Sequence, residues 1–390
     1  MKKFSVISAL IALVAVLCTA SFAGTEYVIA NENRYVPDRN ALVVYRLDTA
    51  TGTLTQIALL VTGGEGSGDD SLTNLVNIEQ AVSSNAECIF AFDLLYSQIT
   101  SFSKATGYDR VGSYSNSQLE ESDAAGSLAL APNGKFLYAT YSYTENIGAW
   151  AVNPDCSLTF ISAYPAGTVD APSAIKVTPN GAYLVTVGGG AELFAINQGS
   201  GALTDIGPIL IGTLCKRACF LTGIDFTKDS KIAVFAGNGD GENGNLIPVA
   251  LTSLITPTGF TNLRAWSLAN PAFLGQNNIP FLSAAAYAGS GNLFFSMLGT
   301  SGFPGVLTAE FTEHPLKITV TQEFVTGRTF PGFYDSSIAV TGKILVLGQF
   351  PNQIAVFSIN ADGSLTELST TTVEATHAGM FSLSVFPNTR

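Results

Sequence analysis

One four-strand phrase recurs along this 390-residue chain: an apolar strand, a Pro-Asn-Gly turn or a variant of it, a second apolar strand, a third, and a fourth. It is clearest where Ser127-Leu-Ala-Leu-Ala-Pro-Asn-Gly134 runs into Lys135-Phe-Leu-Tyr-Ala-Thr140. It recurs where Ala174-Ile-Lys-Val-Thr-Pro-Asn-Gly181 runs into Ala182-Tyr-Leu-Val-Thr-Val187. A four-strand unit returning every ~45 residues predicts a β-propeller blade, because one such unit cannot bury both of its apolar faces and must stack on copies of itself.

Seven turns anchor the repeat: Ser84-Asn-Ala86, Pro132-Asn-Gly134, Pro179-Asn-Gly181, Lys228-Asp-Ser230, Gly289-Ser-Gly291, Thr341-Gly-Lys343 and Pro387-Asn-Thr389. The last has no strand after it, whereas Glu26-Tyr-Val-Ile-Ala30 is a second strand with no first. Phe381-Ser-Leu-Ser-Val-Phe386 is therefore expected to supply the inner strand of the N-terminal blade. That closes an all-β, seven-bladed ring of antiparallel four-stranded blades and removes the open edges of a linear array. Asp48-Thr-Ala-Thr-Gly52, Asn153-Pro-Asp-Cys-Ser157, Asn197-Gln-Gly-Ser-Gly201 and Asn360-Ala-Asp-Gly-Ser364 carry the residues that tight hairpins demand, and are read as structural.

Residues 1–23 are set apart. Lys2-Lys3 is a charged n-region, Phe4 to Leu17 an apolar h-region, and Ser21-Phe22-Ala23 a small-x-small cleavage site. A signal peptide over 1–23 and a single propeller domain over 24–390 are expected, with a secreted or periplasmic product. Cys18 raises a lipoprotein reading, against which Leu17 stands. Gly, Pro, Asn or charge breaks every other apolar run, so no membrane insertion is expected. Losing Lys2 and Lys3 moves the formal charge from −12 to −14, which argues against nucleic acid and anionic lipid as partners.

Cys88, Cys156, Cys215 and Cys219 remain, an even count that reads as disulfides in an exported chain. Cys215-Lys-Arg-Ala-Cys219 suggests a local bridge rather than half a metal site, since no second ligand pair is spaced to complete one. Cys88 opens a second strand and Cys156 sits in the next blade's last hairpin, so a bridge between them is the other reading. Asp240, Glu242 and Asn245 invite calcium but lack the EF-hand spacing. No metal and no cofactor are expected.

On the inner strands, a large column reads Leu128, Ile175, Ile224, Ile338 and Leu383. The adjoining small column reads Ala81, Ala129, Lys176, Asp225, Ala286, Ala339 and Ser384. Lys176 and Asp225 interrupt the small column at equivalent positions of successive blades, as a buried ion pair or as a pair lining the channel.

Loops entering the inner strands and loops joining second to third strands share one mouth of the ring. Asp123, Asp170, Arg217, Arg328, Asp335 and His377 lie on the former, and Glu145 and Glu192 on the latter. This mixed-sign mouth suits a small polar ligand. Gly188-Gly-Gly190 and Gly63-Gly-Glu-Gly66 open no helix and are read as flexible turns rather than phosphate cradles. There is no Gly-x-Ser-x-Gly elbow. A hydrolase would polarise a lactone carbonyl with Arg217 or Arg328 and use His377 or a carboxylate as base.

The signature at 130 to 138 and the pattern Ile354-Ala-Val-Phe-Ser-Ile-Asn-Ala-Asp-Gly-Ser-Leu-Thr366 resemble the lactonase-type seven-bladed propellers, which include 6-phosphogluconolactonase and the carboxymuconate-lactonising enzyme. The resemblance covers essentially the whole mature chain. It implies the seven-bladed fold, a polar ligand over the channel, and histidine, arginine and glutamate at the mouth. The matching stretches Asp123-Ala-Ala-Gly-Ser127, Asp170-Ala-Pro-Ser173 and Phe220-Leu-Thr-Gly223 hold no histidine. A monomer that binds a small polar ligand or an extracytoplasmic protein is expected, with a diverged lactone hydrolase as the alternative.

Overall fold

The computed structural model describes residues 26–32, 40–64, 81–93, 97–119, 126–209, 220–240, 246–268, 281–289, 291–298, 305–325, 337–349, 353–373 and 382–386. They form seven four-stranded antiparallel sheets. The first blade holds Glu26–Asn31, Ala41–Leu47 and Leu54–Val61, and its inner strand is Ser382–Phe386. That strand pairs antiparallel with Glu26–Asn31, Tyr27 opposite Phe386 and Val28 opposite Val385, so the expected closure by the C-terminal strand is observed. Neighbouring inner strands touch in an unbroken cycle around the axis.

The other blades follow in chain order. Their inner strands are Val82–Ser84, Leu128–Leu130, Ala174–Val177, Phe220–Phe226, Phe281–Tyr287 and Ile338–Thr341. Each leads through a short turn to the second strand, as the anchor turns require. Gly134 and Gly181 sit at φ 70° and 72°, and Ser230 takes the same left-handed position at φ 64°. In all three turns that residue's N–H donates 2.8 Å to the carbonyl three residues back. The Ser230 hydroxyl also accepts from Asn180 N at 2.9 Å, tying this turn to that of the preceding blade.

The core is divided among the interfaces between blades. Seven clusters of buried side chains fill the seven blade-to-blade contacts, and strand alternation decides which residue goes where. In the first blade Val28 and Ala30 pack against the seventh blade, whereas Ile29 packs against the second. In the seventh, Ile344 and Val346 face the first while Leu345 and Leu347 face the sixth. Middle strands are thus buried on both faces, which is why they read as unbroken apolar runs. Each wholly buried large side chain, such as Phe235 or Phe294, contributes roughly 1.5–3 kcal/mol.

The outer hairpins dock on the blade before them. Asn153–Ser157 and Asn360–Ser364 are the same turn: the leading Asn donates through Nδ2 to the closing Ser at 2.9 Å in both, and Asp155 or Asp362 accepts the Ser N–H at 3.0 Å. The left-handed position is Gly363 (φ 81°) in one and Cys156 (φ 69°) in the other. A Cβ on Gly363 would stand 2.3 Å from Asn292 Oδ1, at the start of the sixth blade's second strand. Cys156 makes the corresponding contact as a covalent bond to Cys88, the first residue of the second blade's second strand. Of the two cysteine pairings read from the sequence, this one is observed; Cys215 and Cys219 lie outside the described residues.

Candidate functional site

Lys176 on Ala174–Val177 and Asp225 on Phe220–Phe226 meet, as their shared column requires. Lys176 Nζ stands 3.0 Å from Asp225 Oδ1, with the Asp225 side chain 1% exposed and that of Lys176 16%. Lys176 Nζ also donates to Ile224 O at 3.3 Å. Asp225 Oδ1 accepts the Phe226 N–H and Oδ2 the Tyr287 N–H, each at 2.8 Å. Tyr287 belongs to the sixth blade, so one carboxylate joins the fourth, fifth and sixth blades. Of the two readings of this pair, the buried ion pair describes Asp225, while the Lys176 side chain keeps a small exposure.

On the mouth side, Glu192 is buried between the third-to-fourth blade connection and the fourth blade's third strand, Ala191–Ile196. Its Oε2 accepts from Thr168 N at 2.9 Å and Thr168 Oγ1 at 3.0 Å. Burial, together with the neighbouring Asp205 carboxyl, raises its pKa in spite of those two donors. Gly167, at φ 71°, leaves room for this carboxylate, since a Cβ there would lie 2.4 Å from it. In the sequence Glu192 stands as one of several mouth charges, with nothing local to mark it as buried.

Asp93, at the end of Cys88–Asp93, carries no signal of a site in the sequence because it closes an otherwise apolar run. It is fully buried and accepts from Asn40 Nδ2 at 2.8 Å, Thr62 Oγ1 at 2.6 Å and Thr100 Oγ1 at 2.8 Å. Burial raises its pKa although all three donors favour the anion. Asn40 and Thr62 come from the first blade, so this carboxylate closes the interface between the first two blades from the mouth side.

Gly188-Gly-Gly190, expected as a flexible turn, is closely packed at its first residue. A Cβ on Gly188 would lie 2.6 Å from Ala171 O and 2.7 Å from Asp170 O. Gly189 N donates to Asp170 O at 2.9 Å, and Leu221 N donates to Gly188 O at 2.8 Å. The glycines allow close backbone packing that fixes the turn bearing Asp170, whose side chain is exposed. Glu145 is exposed too, at φ 51°. Arg217, Arg328, His377, Asp123 and Asp335 lie outside the described residues, as do Glu242, Asn245 and residues 1–23; Asp240 ends the strand Ile232–Asp240. Among the described residues no three His, Cys, Asp or Glu side chains gather as metal ligands.

Residues 89–212, from the second blade through the fourth, match the family model for the lactonase 7-bladed beta-propeller. Solved structures share the fold across 93% of this chain. One is a protein from Lactobacillus plantarum, at 15% identity, a TM-score of 0.68 and full coverage of that protein. Another is a proposed 6-phosphogluconolactonase from Bacteroides fragilis, at 14%, 0.66 and 99%. A third is the periplasmic gluconolactonase of Pseudomonas aeruginosa, at 14%, 0.60 and 100%. At such identities the likeness is one of fold. No curated protein sequence matches. The resemblance to lactonase-type propellers read from the blade motifs is thus met both by a family model and by structure.

Proposed function

We propose that this chain is an exported lactonase-like propeller that takes a small polar ligand of the sugar-acid or sugar-lactone class at the mouth of its channel. The observation that carries this reading is the lactonase family match over residues 89–212, the stretch that contains Asp170, Lys176 and Glu192. A sugar acid presents a carboxylate and a row of hydroxyls. Carboxylates such as Asp123, Asp170 and Asp335 accept from hydroxyls, while Arg217, Arg328 and Lys176 attract the acid or polarise a lactone carbonyl. Asp225 would act on the ligand only through Lys176, holding its ammonium in place. Export agrees with the Cys88–Cys156 bridge and with the periplasmic setting of the Pseudomonas gluconolactonase.

The family match also favours a second reading, ring opening of the bound lactone. Arg217 and Arg328 would stabilise the developing oxyanion and His377 would serve as base. A panel of sugar lactones, followed by proton release with the chain and with its Arg217→Ala, Arg328→Ala double variant, separates the two. Binding that the double variant loses, with rates at the uncatalysed background, is the expected result. Rates above background that fall in the double variant establish the hydrolase instead. Neither binding nor turnover for any lactone or sugar acid refutes both.

A further inference from the structure

At the end of the ring opposite the mouth, where the first-to-second strand turns and the outer hairpins gather, Lys104 has a setting unlike that of any other described lysine. Its backbone is fixed. Lys104 N donates to Glu87 O at 2.9 Å, and its hairpin closes with Gly107 N on Lys104 O at 3.1 Å and Tyr108 N on Ser103 O at 2.9 Å. From there the half-buried side chain reaches the closing strand, where Nζ stands 3.0 Å over the Phe386 ring and donates to Asn85 O. Tyr27 stacks on the same ring. Among the described residues the ion pairs are Lys176–Asp225 and Lys231–Asp229, so no carboxylate answers Lys104. Lys135, Lys228, Lys317 and Lys343 are exposed.

We infer that Lys104 is a modification site, a nucleophilic amine that is acylated by sugar lactones. An uncharged amine fits this place. One N–H goes to Asn85 O and the other to the face of the Phe386 ring, which leaves the lone pair for a carbonyl carbon. An ammonium would have only that ring and that carbonyl to offset its lost hydration. Burial accordingly brings the group from its usual 10.5 down to about 7, whereas a hydrated lysine is unprotonated in only about one part in a thousand at neutral pH. In the reaction the Nζ lone pair attacks the lactone carbonyl carbon and a C–N bond forms. The ring C–O bond then breaks, and the proton shed by nitrogen passes to the released alkoxide. The product is the Lys104 amide of the open-chain sugar acid, formed with no change of oxidation state and no co-reactant. The choice of acyl donor rests on the ligand class proposed for the mouth, but the amine lies at the other end of the ring and needs nothing held there.

The folded chain is incubated near neutral pH with millimolar gluconolactone, and separately with limiting acetic anhydride, and the adducts are located by peptide mass spectrometry. Both reagents should acylate Lys104 at least about tenfold more than any other lysine, since only the unprotonated amine reacts. The lactone should add its whole mass, because ring opening loses no atom. In urea the preference should vanish, and Lys104→Met should lose this adduct alone. The Arg217→Ala, Arg328→Ala variant should be acylated as the wild type is, so a mouth that binds nothing leaves the acylation standing, and an unmodified Lys104 leaves binding at the mouth standing. Acylation spread over the exposed lysines overturns the inference. So does a preference that survives urea, or a Lys104 that the anhydride labels and the lactone does not.

Discussion

Asp225 shows how one residue can hold a ring together. Its two oxygens serve a lysine on the blade before, its own strand and a peptide N–H on the blade after. Asp225→Ala removes the carboxylate beside Lys176 and orphans two buried N–H groups, and should cost about 3–5 kcal/mol in urea unfolding. Lys176→Met leaves both peptide donors on Asp225 and should cost less, and the double variant should lose less than the two single losses combined. Cys156 carries strain of a different kind, an L-residue at φ 69° where its twin turn has Gly363. With the bridge gone in both, Cys156→Gly should be more stable than Cys156→Ala by about 1 kcal/mol, read from urea midpoints. The meeting of Lys176 and Asp225 was legible in the sequence because both stand three residues ahead of homologous turn positions. The burial of Glu192 and Asp93 was not, since neither strand pattern nor spacing records which threonines of a neighbouring element will reach a carboxylate.

At the scale of elements, the turns were legible because Gly, Asn and Asp announce positive φ locally, whereas the latch over the closing strand was not, being wholly non-local. Tyr27 stacks on Phe386 at 4.8 Å, and Lys104 Nζ sits 3.0 Å over that same Phe386 ring while donating to Asn85 O. Burial brings the Lys104 pKa from its usual 10.5 down to about 7. The folded value lies below the unfolded one, so between about pH 7 and 10.5 the unfolded chain binds more protons and stability rises with pH. Thermal melts across that range should show the rise in wild type and a smaller one in Lys104→Met; equal slopes would remove Lys104 as the cause. Truncation before Ser382 should be far more damaging than any of these substitutions, because it opens the ring and bares the edge of Glu26–Asn31. Loss of cooperative melting in the truncated chain is the expected result.

For the whole molecule, seven blades followed from counting turns, and the closing strand from a missing first strand at one end and a spare one at the other. The Cys88–Cys156 bridge joins residues 68 apart and restricts the unfolded chain by about 4 kcal/mol on the chain-entropy scale. Reduction should lower the urea midpoint accordingly. Function was less legible, because the repeat that fixes the ring is the same whatever the mouth holds, and the residues that would choose a ligand break the repeat singly. Calorimetric titration of the chain with gluconolactone and with gluconate, repeated on the Arg217→Ala, Arg328→Ala variant, addresses the ligand itself. Saturable one-site binding to the wild type, weakened at least tenfold in the variant, is the predicted result; no heat of binding for either compound at millimolar concentration would contradict a sugar-acid or lactone site at the mouth.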